Sequence, residues 1–377
     1  MKKLLFCAGL LFATFSFAQT TVTSSFEYDG VSRDYRLYIP AIYDGSQPAP
    51  LVFNLHGYGS DNVSQELYGD FRPIADTANF IIVHPQGLLD DFGSTHWNTF
   101  GTSTVDDLGF LSALIDTIYA NYNINADRIY STGFSNGGFM SYKLACLLSG
   151  RIAAIAPVGG SMTTAEFGVC NTNHPMPVLH IHGTADETIP YAGNILFMPI
   201  DDIVDHWVTF NECTSDPVVN DITDSDPDDG CSATQYVYEN GLLGSTVELF
   251  KIESGEHTWP GSAYIAGITN NDFDASTEIW RFFSQYTLNH LTSGVETNVL
   301  PVEDFEIYPN PSNQDNVTLT FTTNAERKVT VLNFIGQVIS EQVIFHNTVD
   351  LSIENKGIFF VSITENGQTR TEKLVRH

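Results

Sequence analysis

The chain has 377 residues, of which 42% are hydrophobic and 16% charged, a composition typical of a folded globular protein. At this length two domains are expected rather than one core. The formal net charge is −29, so the surface repels nucleic acid and anionic lipid and disfavours a polyanionic polysaccharide as a substrate.

The first residues predict an exported protein. Lys2 and Lys3 precede an apolar run over residues 4–17, and the SFA triplet at 16–18 forms a small-x-small cleavage site. The run is too short to cross a bilayer, and no other segment reaches membrane-spanning length. Residues 1–18 are therefore predicted to be a signal peptide.

Four cysteines remain after this leader, at Cys146, Cys170, Cys213 and Cys231. An even number of cysteines in an exported chain predicts two disulfides. Three pairings are possible, and the pairing of sequence neighbours, Cys146–Cys170 and Cys213–Cys231, closes short loops. The alternative of a zinc site has no C-x-x-C spacing to support it.

From residue 19 to about 290, short β-type runs alternate with amphipathic stretches. The runs expected to form strands are 35–39, 51–55, 80–83, 128–130, 153–158, 178–181 and 247–252. The stretches expected to form helices are 65–77, 106–122, 136–148, 203–210 and 275–288. This alternation predicts an α/β fold with a doubly wound, mostly parallel sheet covered by helices on both faces.

The pattern changes after this region. Residues 291–304 are polar and without periodicity, which is typical of a linker. Residues 305–377 show only strand signals, separated by turn residues, and predict a small all-β sandwich.

The pentapeptide GFSNG at residues 133–137 follows a predicted strand and begins a predicted helix. A G-x-S-x-G pattern alone arises by chance, but in a strand–turn–helix it exposes a nucleophilic serine, here Ser135. The flanking glycines leave room where a Cβ would clash. The alternative is a glycine-rich nucleotide-binding turn, but the G-x-G-x-x-G pattern is absent.

A serine hydroxyl needs a base, and the base needs an orienting carboxylate. On this kind of sheet the chain order is Ser, then Asp or Glu, then His. Asp186 follows the strand at 178–181, and His257 follows the last apolar strand, so both are expected at the edge that carries Ser135. Glu187 is the alternative acid.

Other histidines also follow Ser135. His180 and His182 lie within or just after a strand, where a histidine is more often a buried core residue. Being two residues apart, they share a face, and with Asp186 they could form a metal site. That interpretation would leave Ser135 and His257 unexplained, so no metal is expected.

Acyl transfer places negative charge on a carbonyl oxygen, which two backbone N–H groups usually receive. The predicted donors are Asn136, directly after the nucleophile, and Tyr58, in the glycine-rich loop after the strand at 51–55. Trp97 and Trp259 are predicted to flank the cleft and to contact a phenolic acyl group or a sugar ring.

These motifs together resemble secreted polyhydroxybutyrate depolymerase-like esterases, a group that also contains bacterial feruloyl and acetylxylan esterases. The matching segments are RDYRLYIP (33–40), HGYG (56–59), VDDLGF (105–110), GFSNGG (133–138), HGTADETIP (182–190) and HTWPG (257–261). The resemblance covers nearly all of 25–290. It implies an α/β-hydrolase fold, a Ser135–Asp186–His257 triad, no cofactor, and action on esters of extracellular polymers or their fragments. Many members have a cysteine where this chain has Tyr58, so a differently shaped acyl pocket is expected.

The tail resembles the C-terminal sorting domains of type IX secretion. The matching pieces are IYPNPS (307–312), FIGQV (334–338), GIFFV (357–361) and EKLVR (372–376), with Phe359 standing where tyrosine is commoner. The resemblance implies the type IX machinery as a partner, and then release or attachment at the cell surface. A carbohydrate-binding sandwich is the alternative, although few tail aromatics look placed for a sugar platform.

Hydrolysis of a carboxylic ester through an acyl-enzyme is thus the leading hypothesis. Feruloyl or acetyl polysaccharide esters and polyhydroxyalkanoate-type polyesters are the candidate substrates. A serine peptidase on the same fold is one alternative. A surface-displayed polysaccharide-binding protein with a non-functional triad is the other.

Overall fold

The computed structural model describes residues 19–101, 103–264, 266–293, 305–314, 316–325, 327–333, 337–353, 355–365 and 368–377. The predicted signal peptide and most of the predicted linker lie outside these ranges. Internal contacts divide the chain into two compact units, Met1–Gly294 and Val295–His377. The functional division into leader, catalytic domain, linker and sorting domain stays a prediction.

The described part of the first unit is built on a large mixed sheet. Its strands are β1 (Thr20–Tyr28), β2 (Val31–Ile39), β3 (Ala49–Leu55), β4 (Ile81–Pro85), β7 (Ile124–Phe134), β8 (Ala154–Val158), β9 (Val178–Gly183), β10 (Val218–Asp221), β11 (Ser232–Tyr238) and β12 (Val247–Glu253), while β5 (Leu88–Leu89) and β6 (Thr95–His96) form a separate hairpin. The strand order is β1-β2-β4-β3-β7-β8-β9-β12-β11-β10. The strands from β4 to β12 pair in parallel, and antiparallel strands close both edges.

Helices cover both faces of this sheet. They are α1 (Asn62–Tyr68), α2 (Arg72–Ala78), α3 (Asp107–Asn121), α4 (Asn136–Leu147), α5 (Thr164–Phe167), α6 (Ile200–Phe210), α7 (Ala275–Phe283) and α8 (Leu288–Ser293). The predicted α/β fold with a doubly wound, mostly parallel sheet is confirmed. None of the helices in the described ranges is long and apolar enough to span a membrane.

The core lies in two layers because strand side chains alternate between the faces. In β3, Phe53 and its neighbours two residues away face the layer that α3, α4 and α6 cover, whereas Val52 faces the layer that α7 covers. Helix α3 presents apolar residues one turn apart, and its N-cap Asp106 accepts the backbone N–H of Gly109 at 2.9 Å.

The single helix predicted over 65–77 is two helices. α1 ends at Gly69, and α2 has Pro73 in its first turn. Proline has no N–H to donate within a helix and clashes with the preceding turn, so it begins a new helix more readily than it continues one. The antiparallel strands β1, β10 and β11 were not predicted.

One of the two predicted disulfides forms. Cys146 at the end of α4 is bonded to Cys170, whereas Cys213 and Cys231 are free, so that part of the prediction is wrong. The residue after Cys213 donates its backbone N–H to Glu239, beyond one end of β11, and Cys231 precedes the other end. A strand rises about 3.3 Å per residue, so β11 separates the two thiols by roughly 20 Å, far beyond bonding reach.

The described part of the second unit is all β. Its strands are β13 (Glu306–Tyr308), β14 (Asn316–Thr320), β15 (Arg327–Asn333), β16 (Val338–Ile344), β17 (Thr348–Ser352), β18 (Gly357–Glu365) and β19 (Gln368–Arg376). They form two antiparallel sheets, β13-β14-β17 and β16-β15-β18-β19, that share one apolar cluster around Leu319, Val331 and Val361. The predicted small β-sandwich is confirmed.

Candidate active site

Ser135 occupies the sharp turn between β7 and α4. Its backbone has φ 53° and ψ −116°, a region that a residue with a Cβ rarely adopts. The turn packs against β3 so closely that a Cβ on Gly133 would lie 2.7 Å from the Leu55 carbonyl oxygen, and one on Gly137 would overlap the same group. The two glycines of the motif are therefore required by backbone packing, and the turn lifts Ser135 above the sheet edge.

Asp186 lies in the loop after β9 and is buried. Its Oδ1 accepts the backbone N–H groups of Thr188 (2.9 Å) and Ile189 (2.8 Å). Its Oδ2 lies 2.6 Å from His257 Nδ1 and 3.3 Å from His182 Nε2. Burial is the largest influence and favours the neutral acid, but the hydrogen bonds from His182 and His257, with the electrostatic attraction of these side chains, together outweigh it. The pKa of the Asp186 carboxyl is therefore held well below its ordinary value.

His257 lies in the loop after β12 and keeps part of its ring exposed. Because Asp186 is ionised and can only accept, His257 Nδ1 carries a proton, and in the neutral ring Nε2 is then an acceptor. The ring contacts that of Phe134, the residue before Ser135, with centroids 4.6 Å apart. His257 and Ser135 line the same cavity. The structure thus brings together the three predicted residues at one rim of the sheet.

The loop that follows β3 packs against Ser135. A Cβ on Gly57 would lie 3.5 Å from the Ser135 Cβ. His56 Nδ1 donates to the Gly57 carbonyl (2.8 Å), and its Nε2 accepts the Gly87 N–H (2.9 Å). The Gly57 carbonyl and the Tyr58 N–H belong to one trans peptide and point in opposite directions. Because the carbonyl faces the His56 imidazole, the Tyr58 N–H points away from that imidazole.

Asn136, the other predicted donor, is the first residue of α4, where N–H groups have no partner within the helix. Its side chain is buried and makes three hydrogen bonds. Oδ1 accepts the Trp97 N–H at 2.7 Å, and Nδ2 donates to the Trp97 carbonyl (3.1 Å) and to Thr99 Oγ1 (2.9 Å). Sequence reasoning missed this side-chain role, because the partner loop lies 39 residues away.

A cavity of about 610 Å³ opens in front of Ser135 and His257. It is lined by Gly57, Tyr58, Ser60, Ser64, Gln65, Leu67, Tyr68, Phe134, Ser135, Thr188, His257, Tyr264 and Ala266. Its aromatic members are Tyr58, Tyr68, Phe134 and Tyr264, and helix α1 supplies one wall. Tyr58 was predicted at this site as a backbone donor and as a residue that changes the shape of the acyl pocket, whereas Tyr68 and Tyr264 were not predicted.

The prediction that Trp97 and Trp259 flank the cleft is wrong. Trp97 is 0% exposed and packs behind the His56 loop, with its indole N–H donated to the His56 carbonyl at 2.9 Å. Trp259 is 1% exposed and lies against Gly69 and Phe71, with its indole N–H 3.3 Å from Ser276 Oγ. Each indole N–H finds its acceptor inside the protein, so each ring supports the cleft from behind.

Within the described ranges, no group of three or more His, Cys, Asp or Glu side chains is arranged to hold a metal ion. His180 and His182, which the metal alternative requires as ligands, have other partners. Their ring nitrogens bond to Tyr142, to each other and to the Ile189 carbonyl.

The fold and the serine turn define an α/β-hydrolase. Residues 39–201 match the phospholipase/carboxylesterase family, and residues 306–377 match the secretion system C-terminal sorting domain. The first unit therefore has the α/β-hydrolase fold and is similar to carboxylesterases of that family, and the second unit is similar to the sorting domain.

Several curated proteins are similar to the first unit. A bifunctional acetylxylan esterase/xylanase, XynS20E from Neocallimastix patriciarum, is 28% identical over 262 residues, covering 69% of this chain and 34% of that protein. Feruloyl esterase B from Piromyces equi is 29% identical over 230 residues, covering 58% and 41% respectively. The chain thus spans well under half the length of these two relatives. The solved acetyl xylan esterase from Aspergillus awamori shares the fold, with a TM-score of 0.51 at 13% identity over 71% of this chain and 99% of that one.

Proposed function

We propose that the chain is an extracellular serine esterase that hydrolyses carboxylic esters through an acyl-enzyme. The observation that carries the proposal is the 2.6 Å hydrogen bond from His257 to Asp186 beside the cavity that Ser135 faces. In this assignment Ser135 is the nucleophile, His257 is the base, and Asp186 orients and stabilises the imidazolium.

The proposed reaction has two halves. The Ser135 oxygen attacks the ester carbonyl carbon while its proton passes to His257 Nε2. The backbone N–H groups of Tyr58 and Asn136 receive the charge on the carbonyl oxygen. The bond to the alcohol oxygen then breaks, and His257 returns the proton to that leaving alcohol. Water repeats the sequence on the acyl-enzyme and releases the acid.

The cavity favours an aromatic acyl group. Its lining is mainly apolar, and Tyr58, Tyr68 and Tyr264 supply ring faces and edges against which a phenolic ring can pack. Relatives named as feruloyl and acetylxylan esterases support the ester of a plant polysaccharide as the substrate class. The acidic surface fits a neutral ester better than a polyanionic chain.

Export completes the proposal. The sorting domain at 306–377 supports transport by the type IX secretion machinery after removal of the predicted signal peptide, with the enzyme then released or held at the cell surface. Secretion of the full chain from a type IX-competent host, compared with a chain ending at residue 304, tests this step.

Hydrolysis of p-nitrophenyl acetate and methyl ferulate tests the chemistry. Ser135→Ala is expected to lower kcat by about 10⁴-fold or more while circular dichroism stays that of the wild type. Ser284→Ala, a surface serine near α7, is the matched control and is expected to keep full turnover. Near-wild-type turnover by Ser135→Ala would rule out this nucleophile. A panel with acetylated xylan and polyhydroxybutyrate is expected to rank methyl ferulate highest in kcat/KM.

A further inference from the structure

A continuous row of buried polar side chains runs from α4 through β9 to Asp186. Tyr142 O–H lies 2.7 Å from His180 Nδ1, and His180 Nε2 lies 3.1 Å from His182 Nδ1. His182 Nε2 is 2.8 Å from the Ile189 carbonyl and 3.3 Å from Asp186 Oδ2. All three side chains are at most 1% exposed, and the two imidazoles lie nearly parallel.

When both imidazoles are neutral, the two acceptors at the end of the row, the Ile189 carbonyl and Asp186, determine the direction of every hydrogen bond in it. The Ile189 carbonyl and the ionised Asp186 can only accept, so His182 Nε2 must carry a proton. With His182 neutral, its Nδ1 accepts, and His180 Nε2 must then donate to it. His180 Nδ1 in turn accepts from the Tyr142 hydroxyl. All donors therefore point towards Asp186.

Burial favours the neutral forms of His180 and Tyr142. It lowers the pKa of His180 well below its ordinary value, aided by the neighbouring His182, and it raises the pKa of Tyr142 well above 10. With both imidazoles neutral, this single arrangement gives every ring nitrogen a partner, which buried polar groups require.

The row also connects the elements that hold the proposed machinery. Tyr142 lies two turns along α4 from Ser135, while His180 and His182 lie in β9, the strand that leads into the Asp186 loop. His182 approaches the same carboxylate oxygen, Oδ2, that His257 bonds at 2.6 Å.

We propose that Tyr142, His180 and His182 are positioning residues that fix Asp186, and through it His257, for the ester hydrolysis proposed above. The inference rests on that proposed function. No proton leaves the row during turnover: its donors hold the carboxylate in one orientation, so that only Oδ2 faces His257 Nδ1.

Two substitutions of one residue separate positioning from packing. In His182→Gln the side-chain amide nitrogen reaches about as far as Nε2 and keeps a donor for Asp186. In His182→Asn the amide ends near the Nδ1 position and loses that donor. We expect His182→Asn to lower kcat about 10- to 100-fold with little change in KM, the scale of one hydrogen bond to a charged group, and His182→Gln to recover most of the loss. Equal kcat in the two folded variants would overturn the proposal.

A spectroscopic measurement on the unaltered protein covers the case in which a variant does not fold. ¹⁵N NMR of the histidine side chains is expected to show His180 and His182 as neutral rings protonated at Nε2. A proton on Nδ1 of His182, or an imidazolium there at neutral pH, would contradict the assigned direction.

Failure of the inference is distinguishable from failure of the proposed function. Ester turnover by Ser135→Ala, or none by the wild type, overturns both. An active wild type and an inactive Ser135→Ala, with His182→Asn turning over as fast as His182→Gln, overturns the positioning role alone.

Discussion

The side chain of Asn136 connects the start of α4 to the loop that follows β6 by hydrogen bonds. Its three hydrogen bonds reach the Trp97 N–H, the Trp97 carbonyl and the Thr99 hydroxyl. Asn136→Ala removes all three at once in a buried place. The Trp97 carbonyl keeps a second partner, the Thr99 N–H at 2.8 Å, whereas its N–H is left without its acceptor.

The cost follows from these partners. A buried N–H without an acceptor costs about 1–3 kcal/mol, and each of the other two bonds contributes about 1 kcal/mol. Asn136→Ala is thus expected to lower the free energy of unfolding by about 3–5 kcal/mol, a large share of the total for an ordinary domain. Thr99→Val, which has nearly the same shape, removes only one bond and is expected to cost about 1 kcal/mol.

Urea unfolding followed by tryptophan fluorescence measures the difference. All 4 tryptophans precede residue 294, so the signal reports the first unit of the full chain. The two variants should differ in midpoint with the same denaturant slope. If Asn136→Ala loses no more stability than Thr99→Val, the hydrogen bonds from Asn136 to Trp97 do not stabilise the fold, and the reasoning is refuted.

Three further outcomes are expected. Gly137→Ala, whose Cβ would overlap the carbonyl of β3, should destabilise the fold by more than about 2 kcal/mol and abolish ester turnover, whereas Gly150→Ala, with open space around it, should do neither. Replacing both Cys146 and Cys170 by serine should lower the free energy of unfolding by about 3 kcal/mol, the value for a loop of 24 residues; an unchanged urea midpoint would contradict it. Since the pKa of Asp186 is lowered by folding, its ionised form stabilises the protein above about pH 4, and this contribution is lost as the pH falls further. The stability advantage of the wild type over Asp186→Asn should therefore shrink between pH 5 and pH 2, and an advantage that stays constant in acid unfolding curves would argue against the shift.

The position of the candidate site could be predicted because the strand order of the sheet largely determines where its residues lie. Ser135, Asp186 and His257 each follow an apolar run that becomes a parallel strand of one sheet, namely β7, β9 and β12. The carboxyl ends of such strands meet at one edge, so residues far apart in sequence become neighbours. The fold class was predictable for the same reason, since the period of each segment indicates strand or helix.

The errors concern directions that local sequence does not encode. Nothing in a loop sequence specifies whether an indole faces solvent or core, and Trp97 and Trp259 turned inward to reach acceptors. Pairing of Cys213 with Cys231 depends on which ends of β11 they approach. Strand alternation predicts the shared face of two histidines, but the arrival of Tyr142 depends on how α4 packs across the sheet.

One wall of the cavity is formed by a single short helix. Helix α1 spans seven residues between its cap, Asp61, and Gly69, whose bare backbone fits against the Trp259 ring. The nucleophile, acid and base come from other segments. Substitutions at Ser64 or Leu67 would therefore change the wall that a substrate meets without altering any of the three reacting groups.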